Sequence, residues 1–61
     1  MNSSKTLNLV IGNRSTGATI SNHLTKYNTE FELIVLAKIA IKNGMVAKVW
    51  DLAKLDPIFE G

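Results

Sequence analysis

The chain has 61 residues, no cysteine, one histidine (His23), and seven Lys plus Arg against five Asp plus Glu, for a formal net charge of +2. One domain of this length buries only roughly 60% of the surface its unfolded chain exposes, so it needs support from disulfides, a structural metal or further copies of itself. The absent cysteines and lone histidine close the first two routes and leave a homo-oligomer as the expectation.

Absence of cysteine also fits a reducing cytoplasm. The longest apolar stretch, Leu33 to Ala37, is far short of the roughly 20 residues of a membrane span, and no signal pattern opens the chain. A cytoplasmic protein with no membrane partner is expected. The basic residues Lys5, Arg14, Lys26, Lys38, Lys42, Lys48 and Lys54 form no block, a spread that permits DNA binding without predicting it.

In chain order, residues 1–4 read as a polar, flexible start. Leu7, Leu9 and Ile11 recur at period two, with Thr6, Asn8 and Val10 on the other face, which predicts a strand over 5–11. Gly12-Asn13-Arg14-Ser15-Thr16-Gly17 concentrates turn formers and predicts a loop over 12–17. Residues 18–27 are ambiguous. Ile20, Leu24 and Tyr27 have helical spacing, while Thr19, Ser21, Asn22 and Thr25 are poor helix formers, so helix and strand both stay open, with a lean to helix.

Thr29 followed by Glu32 makes a capping-box pattern, Glu30 and Glu32 suit the positive end of a helix dipole, and Lys42-Asn43-Gly44 supplies a stop. A helix over 30–43 follows. Leu33, Ile34, Leu36, Ala37, Ala40 and Ile41 form its broad apolar face, and Phe31, Val35 and Ile39 a second row that needs its own cover. Met45, Val46, Val49, Trp50, Leu52 and Ala53 share a stripe that predicts another helix over 45–55, ended by Asp56-Pro57, with 56–61 as a tail folding back. The fold class expected is mainly α with a short N-terminal strand, a small single domain that dimerises around a shared helical core.

No catalytic set emerges. Gly12 and Gly17 superficially match a phosphate-binding loop, but Ala18 stands where its lysine belongs. His23 has neither a Cys nucleophile nor a convincing Ser partner, and Glu30, Glu32, Asp51, Asp56 and Glu60 have no recognisable ligand spacing. The expectation is a non-enzymatic protein with no cofactor and no metal. Its candidate contacts with a partner or another copy are Phe31, Val35, Ile39, Trp50 and Phe59, aromatic and apolar residues of the kind that anchor interfaces.

Two resemblances give this reading a direction. A strand over 5–11 and Asn28-Thr29-Glu30 leading into the apolar Phe31 to Ile41 segment resemble the ribbon-helix-helix (Arc/MetJ-like) repressors over residues 5 to 44. That resemblance implies a dimeric DNA-binding regulator in which Thr6, Asn8 and Val10 face the bases. The reading face lacks the Arg, Lys or Gln typical of base readout.

Lys5-Thr6-Leu7, Gly17-Ala18-Thr19-Ile20-Ser21-Asn22, and Lys38-Ile39-Ala40-Ile41 followed by Met45 and Ala47 resemble, in the same order, segments of the DicB-type prophage cell-division inhibitors. That resemblance implies binding to the division regulator MinC. The favoured expectation is therefore a phage- or prophage-type regulator that binds a host protein. A DNA-binding regulator is the alternative, and a toxin-shielding antitoxin is a third.

Overall fold

The computed structural model describes residues 5–61, so the expected flexible start at 1–4 lies outside the described residues. The order is β1 (Leu7–Asn13), β2 (Thr19–Thr25), α1 (Glu30–Lys42), β3 (Met45–Asp51) and β4 (Phe59–Glu60). The strands form one sheet in the order β2-β1-β3-β4, each neighbouring pair antiparallel, and α1 packs on one face of it, chiefly against β3 and β1.

The mainly helical expectation is overturned: three strands of seven residues and one of two accompany a single 13-residue helix. With it falls the picture of a dimer built on a shared helical core. The core lies between α1 and the sheet inside one chain, formed by Leu7, Leu9, Leu33, Ala37, Ala40, Ala47 and Val49, with Ile11, Ile34, Met45 and Phe59 among its partly buried neighbours. Ala37, Ala40 and Ala47 are small enough to let the helix sit close to the sheet.

β1 follows its period-two pattern, with Leu7 and Leu9 buried and Ile11 half-buried. It runs on through Gly12 and Asn13, which shortens the expected loop to Arg14–Gly17. There the Asn13 side chain accepts the N–H groups of Ser15 and Thr16 at 2.8 and 3.0 Å, Asn13 N–H donates to the Ala18 carbonyl at 2.8 Å, and Gly17 takes φ +77°. A positive φ at that position suits glycine because no Cβ opposes it. The loop turns the chain straight back along β1, so residues 18–27 contain a strand and the helical lean is corrected. Thr19, Ile20 and Thr25, being β-branched, suit a pleat.

The expected helix over 45–55 is β3 followed by turns. Met45, Ala47 and Val49 alternate with Val46, Lys48 and Trp50, so this segment satisfies the strand period as well as the helical one. The second edge of β1 decides between them. Seven residues of β1 pair with seven of β3, from Leu7 opposite Asp51 to Asn13 opposite Met45, and those backbone groups would otherwise lack partners. Asp51 ends the strand: its Oδ1 accepts the Ala53 N–H at 2.9 Å and its carbonyl accepts the Lys54 N–H at 2.9 Å. The tail does fold back, with Phe59 opposite Val49 in β4.

α1 starts where its cap dictates. Thr29 Oγ1 accepts the Glu32 N–H at 3.1 Å while Glu32 Oε1 accepts the Thr29 N–H at 2.7 Å, so two orphan donors are satisfied reciprocally. Asn43 caps the other end and Gly44, at φ +87°, turns the chain into β3. The Thr29 N–H, first among its causes, holds the Glu32 carboxyl below its ordinary 4.5. A lowered folded pKa means that the stabilisation is complete above 4.5 and disappears as pH falls through the lowered value. Glu32→Gln, which keeps the acceptor but removes the charge, should lose less melting temperature than the parent across that acid window. Paired thermal melts check this; identical acid profiles would count against the capping carboxylate.

Candidate interaction surface

Because α1 leans on β1 and β3, β2 is left uncovered, exposed at every residue but Thr25. An open groove of about 510 Å³ results, with Leu9 and Ile11 at its floor, Ser21 and His23 on the β2 wall, and Leu36 and Ile39 on the α1 wall. A smaller hollow lined by Asn28, Phe31, Glu32, Val35 and Leu36 adjoins it at Leu36 along the helix. Phe31, Val35 and Ile39 are spaced i, i+4, i+8, so they stand on one side of α1 in a single strip. Phe31 is 75% exposed, Ile39 52% and Leu36 46%.

The second apolar row therefore stands free of any cover among the described residues. Leu36 joins it, although its spacing places it on the core-facing side, because the buried contact line of α1 runs through Leu33, Ala37 and Ala40. Trp50 and Phe59 lie elsewhere. Phe59 packs on the core from β4, with the Lys38 ammonium 5.9 Å from its ring centroid. Trp50 is half-buried on the far face of the sheet, opposite Asn8.

The DNA-reading set also falls on the far face, since Asn8 and Val10 alternate with the core-facing Leu7, Leu9 and Ile11. β1 has both edges paired, to β2 and to β3. Asn8 sits between Leu24 on one side and Trp50 on the other, and its Oδ1 is buried without a hydrogen-bond partner, the one such side-chain atom among the described residues. Leaving a buried acceptor unpaired costs about 1–3 kcal/mol. Asn8→Val should therefore raise the melting temperature by roughly 4 °C or more, read by circular dichroism. A lower melting temperature would show that the amide is satisfied in solution.

No family model, curated protein or solved structure matches this chain.

Ser21 and His23 share the groove wall, but no acidic side chain lines the groove to orient an imidazole. Among the described residues, no three His, Asp or Glu side chains gather as a metal site, and no helix is long and apolar enough to cross a membrane. From the sequence alone, Ser21 and His23 are weighed only as a catalytic pair, and neither they nor Leu36 are placed at an interaction surface, because residues 18–27 are ambiguous there and Leu36 belongs to the core face. The alternation of Ser21 and His23 with Ile20, Asn22 and Leu24 is the signal that finds them once 19–25 is taken as a strand.

Proposed function

We propose that this chain is a non-enzymatic regulatory protein that acts by binding another protein through the outer strip of α1 and the groove beside it. The observation that carries the reading is the run of exposed apolar side chains, Phe31, Val35, Leu36 and Ile39, continuous with a groove of similar character. Contiguous apolar surface of this kind on a small domain marks an interaction site, and a groove beside a helix suits a partner that presents an amphipathic helix or a cluster of apolar anchors. The resemblance to the DicB-type inhibitors supplies the class of partner, a bacterial host protein in a phage- or prophage-type regulation, with MinC as the first candidate to assay.

DNA is the second reading and the geometry favours it less. A ribbon-helix-helix dimer needs its first strand free to pair with the other copy, whereas β1 is held on both sides within the chain and 45–51 is a strand. The seven basic residues are dispersed through the sequence. The test is an affinity pull-down of the tagged full chain from a bacterial lysate, with and without nuclease. One host protein retained near stoichiometry after nuclease supports the reading. Recovery of nuclease-sensitive DNA without such a protein overturns it.

A further inference from the structure

β2 forms a long free edge of the sheet; the opposite edge, β4, has two residues. Which of its backbone groups face outward follows from the hydrogen bonds at the ladder ends. Asn13 N–H donates to the Ala18 carbonyl on the β2 side, and Leu52 N–H donates to the Thr6 carbonyl on the β3 side. Backbone groups alternate direction along a strand, so odd-numbered residues of β1 address β2 and even-numbered ones address β3. Their partners Ser21, His23 and Thr25 thus commit their N–H and C=O groups to β1. Asn22 and Leu24 direct theirs to the open edge, and Ile20 is skipped where the register shifts between Ile11 and Gly12.

Exposed edges are normally guarded by charge, by proline, by shortness or by a bulge. Apart from the bulge at Ile20, β2 is unguarded: Thr19-Ile20-Ser21-Asn22-His23-Leu24-Thr25 is seven residues long with no Lys, Arg, Asp, Glu or Pro. Paired with itself, it brings no permanent like charges together.

We infer that two copies of the chain pair antiparallel through β2, with Asn22 of one copy opposite Asn22 of the other, to make one continuous eight-stranded sheet. The register is self-complementary. The outward groups of Asn22 meet each other, and Leu24 stands opposite the bulge residue Ile20 of the second copy, twice by symmetry. On the face away from the helices, Ile20 (57% exposed) and Leu24 (60% exposed) become two apolar cross-strand pairs, with the two Asn22 amides between them able to hydrogen-bond. On the helix side, Ser21 stands opposite His23.

Other registers that keep the outward groups aligned do worse. Centring on His23 sets Leu24 against Asn22 and Ile20 against Lys26, and centring on Ser21 sets Ile20 against Asn22. The two-fold axis is normal to the sheet, so both helices lie on one face and their grooves open toward each other across the joined strands. The pairing rests on the edge and its register, and is independent of the partner proposed above.

The test is the sedimentation mass of the full chain against concentration. A concentration-dependent rise toward twice 6.7 kDa is expected. Asn22→Pro removes an N–H that bonds to nothing among the described residues, so the variant keeps its circular-dichroism spectrum and stays monomeric. Ile20→Lys and Leu24→Glu each weaken the dimer at least 10-fold, and the double variant regains affinity because each new ammonium faces a new carboxylate of the other copy.

Asn22→Cys, in a chain with no other cysteine, gives an interchain disulfide on oxidation, since hydrogen-bonded pairs set Cα atoms about 5.5 Å apart. Ile20→Cys, which faces Leu24, does not. A monomer mass up to about 1 mM overturns the inference. So does a dimer that a folded Asn22→Pro variant still forms, or one whose double charge variant is no tighter than the single ones.

Discussion

Leu33→Ala leaves the protein largely unfolded at room temperature or melts it roughly 15 °C or more below the parent. Leu33 is 0% exposed and is one of the two largest fully buried side chains, the other being Val49 in β3. Truncation removes three carbons from a site whose neighbours Ala37, Ala40 and Ala47 are too small to close the space. Leu→Ala changes of this kind cost about 3–5 kcal/mol. A domain of this length holds only roughly 3–9 kcal/mol in total, at about 0.05–0.15 per residue, so one substitution removes a large part of it. Leu36→Ala, on the exposed side of the same helix, serves as the contrast and should cost within about 1 kcal/mol. Thermal melts of the two variants decide the point, and equal losses would mean that the helix face has been assigned incorrectly.

This contrast also marks how far the sequence could be read. α1 was legible because three local signals agreed on it: Thr29 with Glu32 at its start, a 3.6-residue apolar period, and Asn43-Gly44 at its end. β1 was legible because Leu7, Leu9 and Ile11 recur at period two beside the polar Thr6 and Asn8. β3 was not. Its apolar residues occupy both faces, since Val46 and Trp50 lie on the far side of the sheet from Ala47 and Val49. A run apolar on both faces fits either period, and only the unpaired edge of β1, a contact across more than thirty residues of chain, selects the strand.

β2 was hidden for the opposite reason. It is a polar edge strand whose burial is too slight to imprint a pattern, and the hairpin loop Arg14–Gly17 fixes its place. Of the candidate contacts, Phe31, Val35 and Ile39 were correctly grouped because helical geometry alone puts them on one side. Trp50 and Phe59 were grouped with them on residue type, and the sheet separates them onto opposite faces.

The surface assignment carries the second large effect. The double variant Leu36→Asp, Ile39→Asp should stay folded and yet lose capture of its protein partner by roughly 30-fold or more, the loss expected when apolar anchors worth about 1–2 kcal/mol each are removed. Both side chains are about half exposed, so the new carboxylates remain in water and avoid the penalty of a buried charge. Lys42, three residues beyond position 39, offsets part of the poor helix propensity of the aspartate there. In a bound complex the same carboxylates would be pressed against apolar partner surface, where they cost most. The measurement is a melt to establish folding, followed by partner capture from nuclease-treated lysate beside Thr6→Ala, Asn8→Ala as the control on the opposite sheet face. Retained capture by the folded aspartate variant, or its loss only in the control, would transfer the function from the α1 strip to the far face of the sheet, where Asn8 lies between Leu24 and Trp50.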